Sequence, residues 1–335
     1  MRDEYLDHFW QLRALSRPGQ PLSAFSPAAT MNRPENFGLY KKKPVPTNER
    51  RELHAQLLRR FSADVVEGRQ ALVMAGPPGA GKSTLRDLYL GEGRADYLVI
   101  DPDEFKRALI RDAMGPDDDL PYSLIPRELK EHVESGAPFA PMDFAGLVHR
   151  ESSYVAQRLQ SEAIKQGKNV VLDQMLASRP QAEDLGRQLE KRGYTVRVFS
   201  AEASRPAVEQ GILERYRRDR LRPDSMGGRA IPSDTLEHAY GDGDQKFSRS
   251  YAAAMALAES SGNVVELRQM HRELGEPMKL HGWYGREAIG AELEEGGPEH
   301  PGRKLAEEDV ALAAQLHNLG DLGVGDGQHW SSPER

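Results

Sequence analysis

Eight consecutive residues, Gly76-Pro77-Pro78-Gly79-Ala80-Gly81-Lys82-Ser83, fit G-x-x-x-x-G-K-[ST] without a gap, and Thr84 follows them at the nucleotide loop. Glycines let such a segment turn tightly enough for its N–H groups to point inward at phosphate oxygens. A helix that follows adds the positive end of its dipole. In this pattern Lys82 reaches the β- and γ-phosphates of a nucleoside triphosphate and Ser83 ligates Mg²⁺. No N-K-x-D-like segment that would select guanine is present, so ATP is the expected nucleotide. Two aspartates follow in "VIDPDEFK" (99–106). Asp101 and Asp103 fall just past a strand's carboxyl end, where open α/β sheets bind ligands. A kinase needs a carboxylate there to take the proton of an attacking hydroxyl. Asp103, further along the loop, suits that role. Asp101 is read as a helix cap or as part of a magnesium shell. Asp173 closes another strand on the same side; it could orient a magnesium-bound water or the acceptor, or cap the next helix.

Between 214 and 229 the chain holds six arginines, at 215, 217, 218, 220, 222 and 229. A phosphoryl group in flight is negative, and guanidinium groups fork onto its oxygens and stay ionised. The opposing reading is a solvated charged helix, which suits 217, 218, 220 and 222. Trp283 and Tyr284 could stack on a base or anchor a core. The histidines are scattered without zinc-ligand spacing, and the absence of cysteine excludes disulfides, thiol nucleophiles and Cys-ligated zinc.

Taken together, "GPPGAGKST", "VIDPDEFK", "HRESSYVAQRL", "GKNVVLDQ" and "ILERYRRDRLRPDSMGGRAIP" occur in the order that resembles the zeta-toxin family, over about residues 60–270. The resemblance implies a P-loop kinase that uses ATP to phosphorylate the 3′-hydroxyl of a UDP-N-acetyl sugar, UDP-N-acetylglucosamine being the preferred acceptor. It also implies an antitoxin protein as partner. Carried over by residue, it gives Lys82 and Ser83 to the nucleotide, Asp103 to base catalysis, Glu151 to the sugar-nucleotide, and Arg215 and Arg229 to the transferring phosphate. One departure stands out: where the family often has an acid-Gly-Thr triplet, this chain has Asp173-Gln174-Met175. That keeps NAD, another nucleotide or a different metabolite open as acceptor, and leaves a nucleotide-binding regulator as the non-enzymatic alternative.

The elements that must position these groups alternate in type. Short strands rich in Val, Leu and Ile are expected at 70–76, 97–101, 169–173, 194–200 and 263–267. Helices are expected at about 48–67, 83–90, 104–114, 144–166, 180–192, 204–221 and 233–259, with an interrupted loop region at 115–142. This is the pattern of an α/β fold, a parallel sheet covered by helices on both faces. Residues 1–45 read as an N-terminal arm, extended or partly ordered: a surface segment, or a regulatory, partner-binding or export one that could also mask the site in cis. Residues 46–284 read as the kinase domain, and 285–335 as an acidic, Gly- and Pro-rich appendage with one helix near 304–317. Across 335 residues the net charge is −7, which argues against a general nucleic-acid binder. No apolar run reaches the roughly 18 residues that span a bilayer. A cytoplasmic site of action is expected, and delivery into another cell is compatible with it.

Overall fold

The computed structural model describes residues 4–116, 119–222, 226–241, 245–286 and 289–296. The expected C-terminal helix near 304–317 lies outside them, as does most of the appendage. A seven-stranded sheet forms the centre, in the order β4-β5-β3-β6-β7-β8-β9. Its strands are β3 (Gln70–Ala75), β4 (Leu98–Ile100), β5 (Val170–Asp173), β6 (Thr195–Ala203), β7 (Val264–Arg272), β8 (Lys279–Gly285) and β9 (Glu294–Glu295). The first five pair in parallel; β8 and β9 add an antiparallel edge. Five of the six β3 residues are buried, as a strand covered on both faces requires.

Helix α10 (Arg249–Ser260) packs on α7 (Arg179–Glu190), β6 and β7. Helix α6 (His149–Gln166) lies against β4 and β5, with α4 (Pro102–Asp112) and α2 (Asn48–Phe61) packed onto it. The long helix expected at 233–259 is two helices, α9 (Ser233–Tyr240) and α10, because Gly241 takes φ 64° and ends the first. The loop region 115–142 contains α5 (Arg127–Glu134). Strand β8 was not expected, since "KLHGWYG" carries no clean alternation.

Residues 4–46 fold onto the body. They form α1 (Glu4–Leu15), turns, and a hairpin of β1 (Phe37–Tyr40) and β2 (Lys43–Pro46). Phe9, Leu12 and Leu22 are fully enclosed. Phe9 meets the Tyr216 ring of α8 (Arg205–Leu221) at 5.1 Å between centroids, and His8 Nε2 lies 3.1 Å from Asp143 Oδ2. Isolated apolar residues spaced by turns have no period, so the sequence does not announce that this segment is ordered.

Candidate active site

The glycine loop joins β3 to α3 (Lys82–Leu90) at the carboxyl end of a central strand. Its shape depends on glycine. Gly76 has φ 136°, and a Cβ there would sit 2.1 Å from the Ala201 carbonyl oxygen. Gly79 and Gly81 also take positive φ, and Gly81 opens α3. The Lys82 ammonium donates to the carbonyls of Gly76 at 3.0 Å and Pro77 at 3.2 Å. Ser83 and Thr84 are exposed on the first turn. Asp173, at the end of β5, lies 3.8 Å from Lys82 Nζ and 4.0 Å from Arg86 Nη1. Burial, the largest influence, raises its pKa against the pull of Lys82. The backbone after it supports the loop: Gly76 N–H donates to the Met175 carbonyl at 3.3 Å.

Asp101 caps α4, its carboxylate accepting the Asp103 N–H at 2.8 Å. That cap fixes the backbone of Asp103 on the first turn. Three cations converge on the Asp103 side chain. Lys106 Nζ lies 2.6 Å from Oδ1, Arg229 Nη1 also bonds Oδ1, and Arg215 Nη2 lies 3.9 Å from Oδ2. Burial alone would push this carboxyl up; Arg229, then Lys106 and Arg215, outweigh it and hold it well below the ordinary carboxylate range. The two arginines share one small pocket with the glycine loop, lined by Pro78, Gly79, Ile212, Arg215, Arg229 and Ile231.

The local sequence explains how they get there. On α8, Val208, Ile212 and Tyr216 form one buried face, and Arg215 stands beside it. Arg229 follows two glycines. A Cβ on Gly228 would lie 2.4 Å from the Tyr216 carbonyl oxygen, so only glycine lets this segment press onto α8. Met142 N–H donates to the Met226 carbonyl at 2.8 Å and fixes the other side. Arg220 is not a solvated surface charge: its Nη1 bonds Asp143 Oδ2 at 3.0 Å, and Asp143 is the same residue that meets His8 of α1.

Lys82, Ser83, Asp101, Asp103, Asp173, Arg215 and Arg229 thus gather at the carboxyl end of the sheet. Glu151 does not join them. Its side chain is 0% exposed, on α6. Arg50 of α2 grips both its oxygens, Nε to Oε1 at 2.5 Å and Nη2 to Oε2 at 2.8 Å, and His54 Nε2 lies 2.6 Å from Oε1. Burial would raise this carboxyl; bonds from His54 and Arg50 reverse that and bring it down to about 2. Trp283 is buried, with Nε1 donating to Glu266 Oε1 at 3.0 Å, so it anchors the sheet edge. Lys106 and Arg86 carry no motif of their own in the sequence, although each sits one helical turn from a candidate residue, Asp103 and Lys82. Nor does the sequence mark Glu202, a fully enclosed carboxyl on β6 that burial pushes up to about 7.

The oxygen set offered by Ser83, Asp101 and Asp173 suits Mg²⁺, and the glycine cradle suits a polyphosphate. No membrane-length apolar helix occurs among the described residues.

Comparison with known proteins agrees with this architecture. The family model described as Zeta toxin matches residues 55–258. Toxin zeta of Streptococcus pyogenes is 25% identical over 167 residues, half of this chain and half of that protein. The calmodulin calcium-dependent NAD kinase of Arabidopsis thaliana is 30% identical over 159 residues, 43% of this chain and 25% of that protein. The chain therefore spans half or less of the length of these curated relatives. Crystal structures of the AvrRxo1-ORF1:AvrRxo1-ORF2 complex share the fold: the one with sulphate ions superposes at TM-score 0.51 with 17% identity, covering 79% of this chain and 73% of that one. A family match over 55–258, on a seven-stranded sheet with the glycine loop after a central strand, makes the chain a member of the zeta toxin family, with its P-loop kinase-like fold.

Proposed function

We propose that this chain is an ATP-dependent phosphotransferase acting on a hydroxyl of a nucleotide-bearing acceptor. The observation that carries the reading is the convergence of Arg229 and Arg215 on Asp103 beside the glycine loop. The loop N–H groups and Lys82 bind the triphosphate's tail. Asp103 takes the proton of the attacking hydroxyl, and the two arginines meet the charge spread over the phosphoryl oxygens. Ser83, with Asp101 and Asp173 nearby, would hold Mg²⁺, which neutralises charge on the β- and γ-phosphates when bound. A structure of the AvrRxo1-ORF1:-ORF2 complex with ATP, at TM-score 0.50, supports ATP as the donor.

Family membership favours a UDP-N-acetyl sugar such as UDP-N-acetylglucosamine as acceptor. Two observations on this chain weigh against the sugar nucleotide, and one relative points to NAD instead. Glu151, which the family resemblance gives to the sugar-nucleotide, is enclosed by Arg50 and His54, and Met175 replaces a small hydroxyl residue. A relative 30% identical is named an NAD kinase. A protein partner in the role of antitoxin is supported by relatives named Toxin zeta and by the two-component AvrRxo1 complexes; co-purification with the product of an adjacent reading frame tests it. The deciding experiment offers γ-labelled ATP with Mg²⁺, and NAD or UDP-N-acetylglucosamine in turn. Label on NAD is the expected result, and label on the sugar nucleotide restores the family's acceptor. Bound ATP with no label transferred to either, or to anything in a metabolite extract, refutes the kinase and leaves a nucleotide-binding regulator.

A further inference from the structure

We propose that Lys106 is the positioning residue of the base: by holding Oδ1 of Asp103, it leaves Oδ2 as the oxygen that receives the acceptor's proton. This rests on the kinase reading above. Lys106 is 4% exposed and stands one turn beyond Asp103 on α4. Its Nζ lies 2.6 Å from Oδ1, the oxygen that Arg229 also bonds. Arg215 Nη2 stands 3.9 Å from Oδ2, beyond hydrogen-bond length. One carboxylate oxygen is therefore doubly held and the other is within reach of a hydroxyl.

The helix supplies the reason for a third cation. Arg215 and Arg229 come from α8 and the segment after it, and the transferring phosphoryl group competes for both. Lys106 shares a helix turn with Asp103 and stays with it whichever way the arginines turn. With the backbone fixed by the Asp101 cap and Oδ1 fixed by Lys106, the carboxylate plane keeps one orientation. In the step itself the acceptor O–H proton passes to Oδ2. The acceptor oxygen forms a bond to the γ-phosphorus, and the bond from that phosphorus to the β–γ bridging oxygen breaks. Its electron pair leaves with ADP.

Lys106 is faced by Asp103 and Asp101 from its own helix end, Arg229 from the segment after α8, and His149 from α6; Arg215 lies beyond Asp103. Burial first, and Arg229 second, bring its ammonium down to about 8. Turnover should then fall as pH rises through about 8, where the clamp loses its proton.

The test uses Lys106→Met and Lys106→Arg in the full chain. Lys106→Met should lower kcat by roughly a hundredfold, the scale of a misoriented reacting group, with KM for ATP unchanged. Lys106→Arg should recover much of that loss and move the alkaline limb of the kcat profile above pH 10, because a guanidinium stays ionised. Thermal unfolding and ATP binding check that each variant is folded; if Lys106→Met is not, the charge-retaining Lys106→Arg decides through its pH profile. A Lys106→Met enzyme within twofold of wild-type kcat, a loss confined to KM for ATP, or an alkaline limb unmoved in Lys106→Arg overturns the proposal. Asp103→Asn in the same assay separates the two ideas: if it keeps its turnover, the kinase reading fails, and if it is inactive while the Lys106 variants behave as wild type, only this inference fails.

Discussion

Replacing Glu151 with glutamine keeps the shape and removes the charge from a fully enclosed carboxylate that Arg50 and His54 hold between α6 and α2. A carboxyl brought to about 2 from the ordinary 4.5 has its ionised form stabilised by about 3 kcal/mol, at 1.36 kcal/mol per pH unit. Breaking a buried pair by removing one partner typically costs about 3–5 kcal/mol, because the other charge is left uncompensated. The two routes agree, so Glu151→Gln should cost about 3 kcal/mol, a fall in Tm of about 6–12 °C for a domain of this size. The sign with pH follows from the direction of the shift. A carboxyl whose pKa is depressed by folding contributes fully above the unfolded value near 4.5 and loses that contribution as pH falls through about 2. Denaturant unfolding of wild type and variant at pH 7, 5, 4 and 3 should show a full gap at the first two that narrows at the last two. ATP binding should be unchanged. A variant with wild-type stability at pH 7 and a raised KM for the acceptor would refute this reasoning and return Glu151 to the substrate.

Arg229→Lys should lower kcat by about a thousandfold or more, the lower end of what a phosphate-facing arginine contributes, with steady-state kinetics as the measure; a loss under tenfold would place Arg229 outside the transition state. Gly76→Ala should abolish ATP binding in calorimetry, because its Cβ would meet the Ala201 carbonyl oxygen at 2.1 Å and the residue would have to keep φ 136°; tight binding by the variant would mean the loop is shaped some other way. Phe9→Ala should cost about 3–5 kcal/mol in denaturant unfolding, since Phe9 is 0% exposed against Tyr216. For the same reason, deleting residues 1–45 should lower turnover, whereas a rise would show that the segment masks the site.

The sequence by itself determined the glycine loop and the alternation of strands and helices, because each depends on a short run of residues or a local period; it singled out Asp103, Arg215 and Arg229 as candidates through the resemblance of their segments to a family. Strand β8 and the break between α9 and α10 were less legible, one for want of alternation and the other because a single Gly241 overrides a helical pattern. What only the tertiary structure decided was the company each charge keeps. Glu151 and Asp103 are both acidic residues on the first turn of a helix. One is closed off by α2, a helix about 100 residues earlier, and the other faces arginines more than 100 residues later. Arg220 and Arg215 lie five positions apart on α8, yet one neutralises the buried Asp143 and the other reaches the cleft. Local sequence sets the face of a helix on which a side chain stands; burial and partner charge, which set its pKa and its role, come from chain segments that only folding brings within a few ångströms.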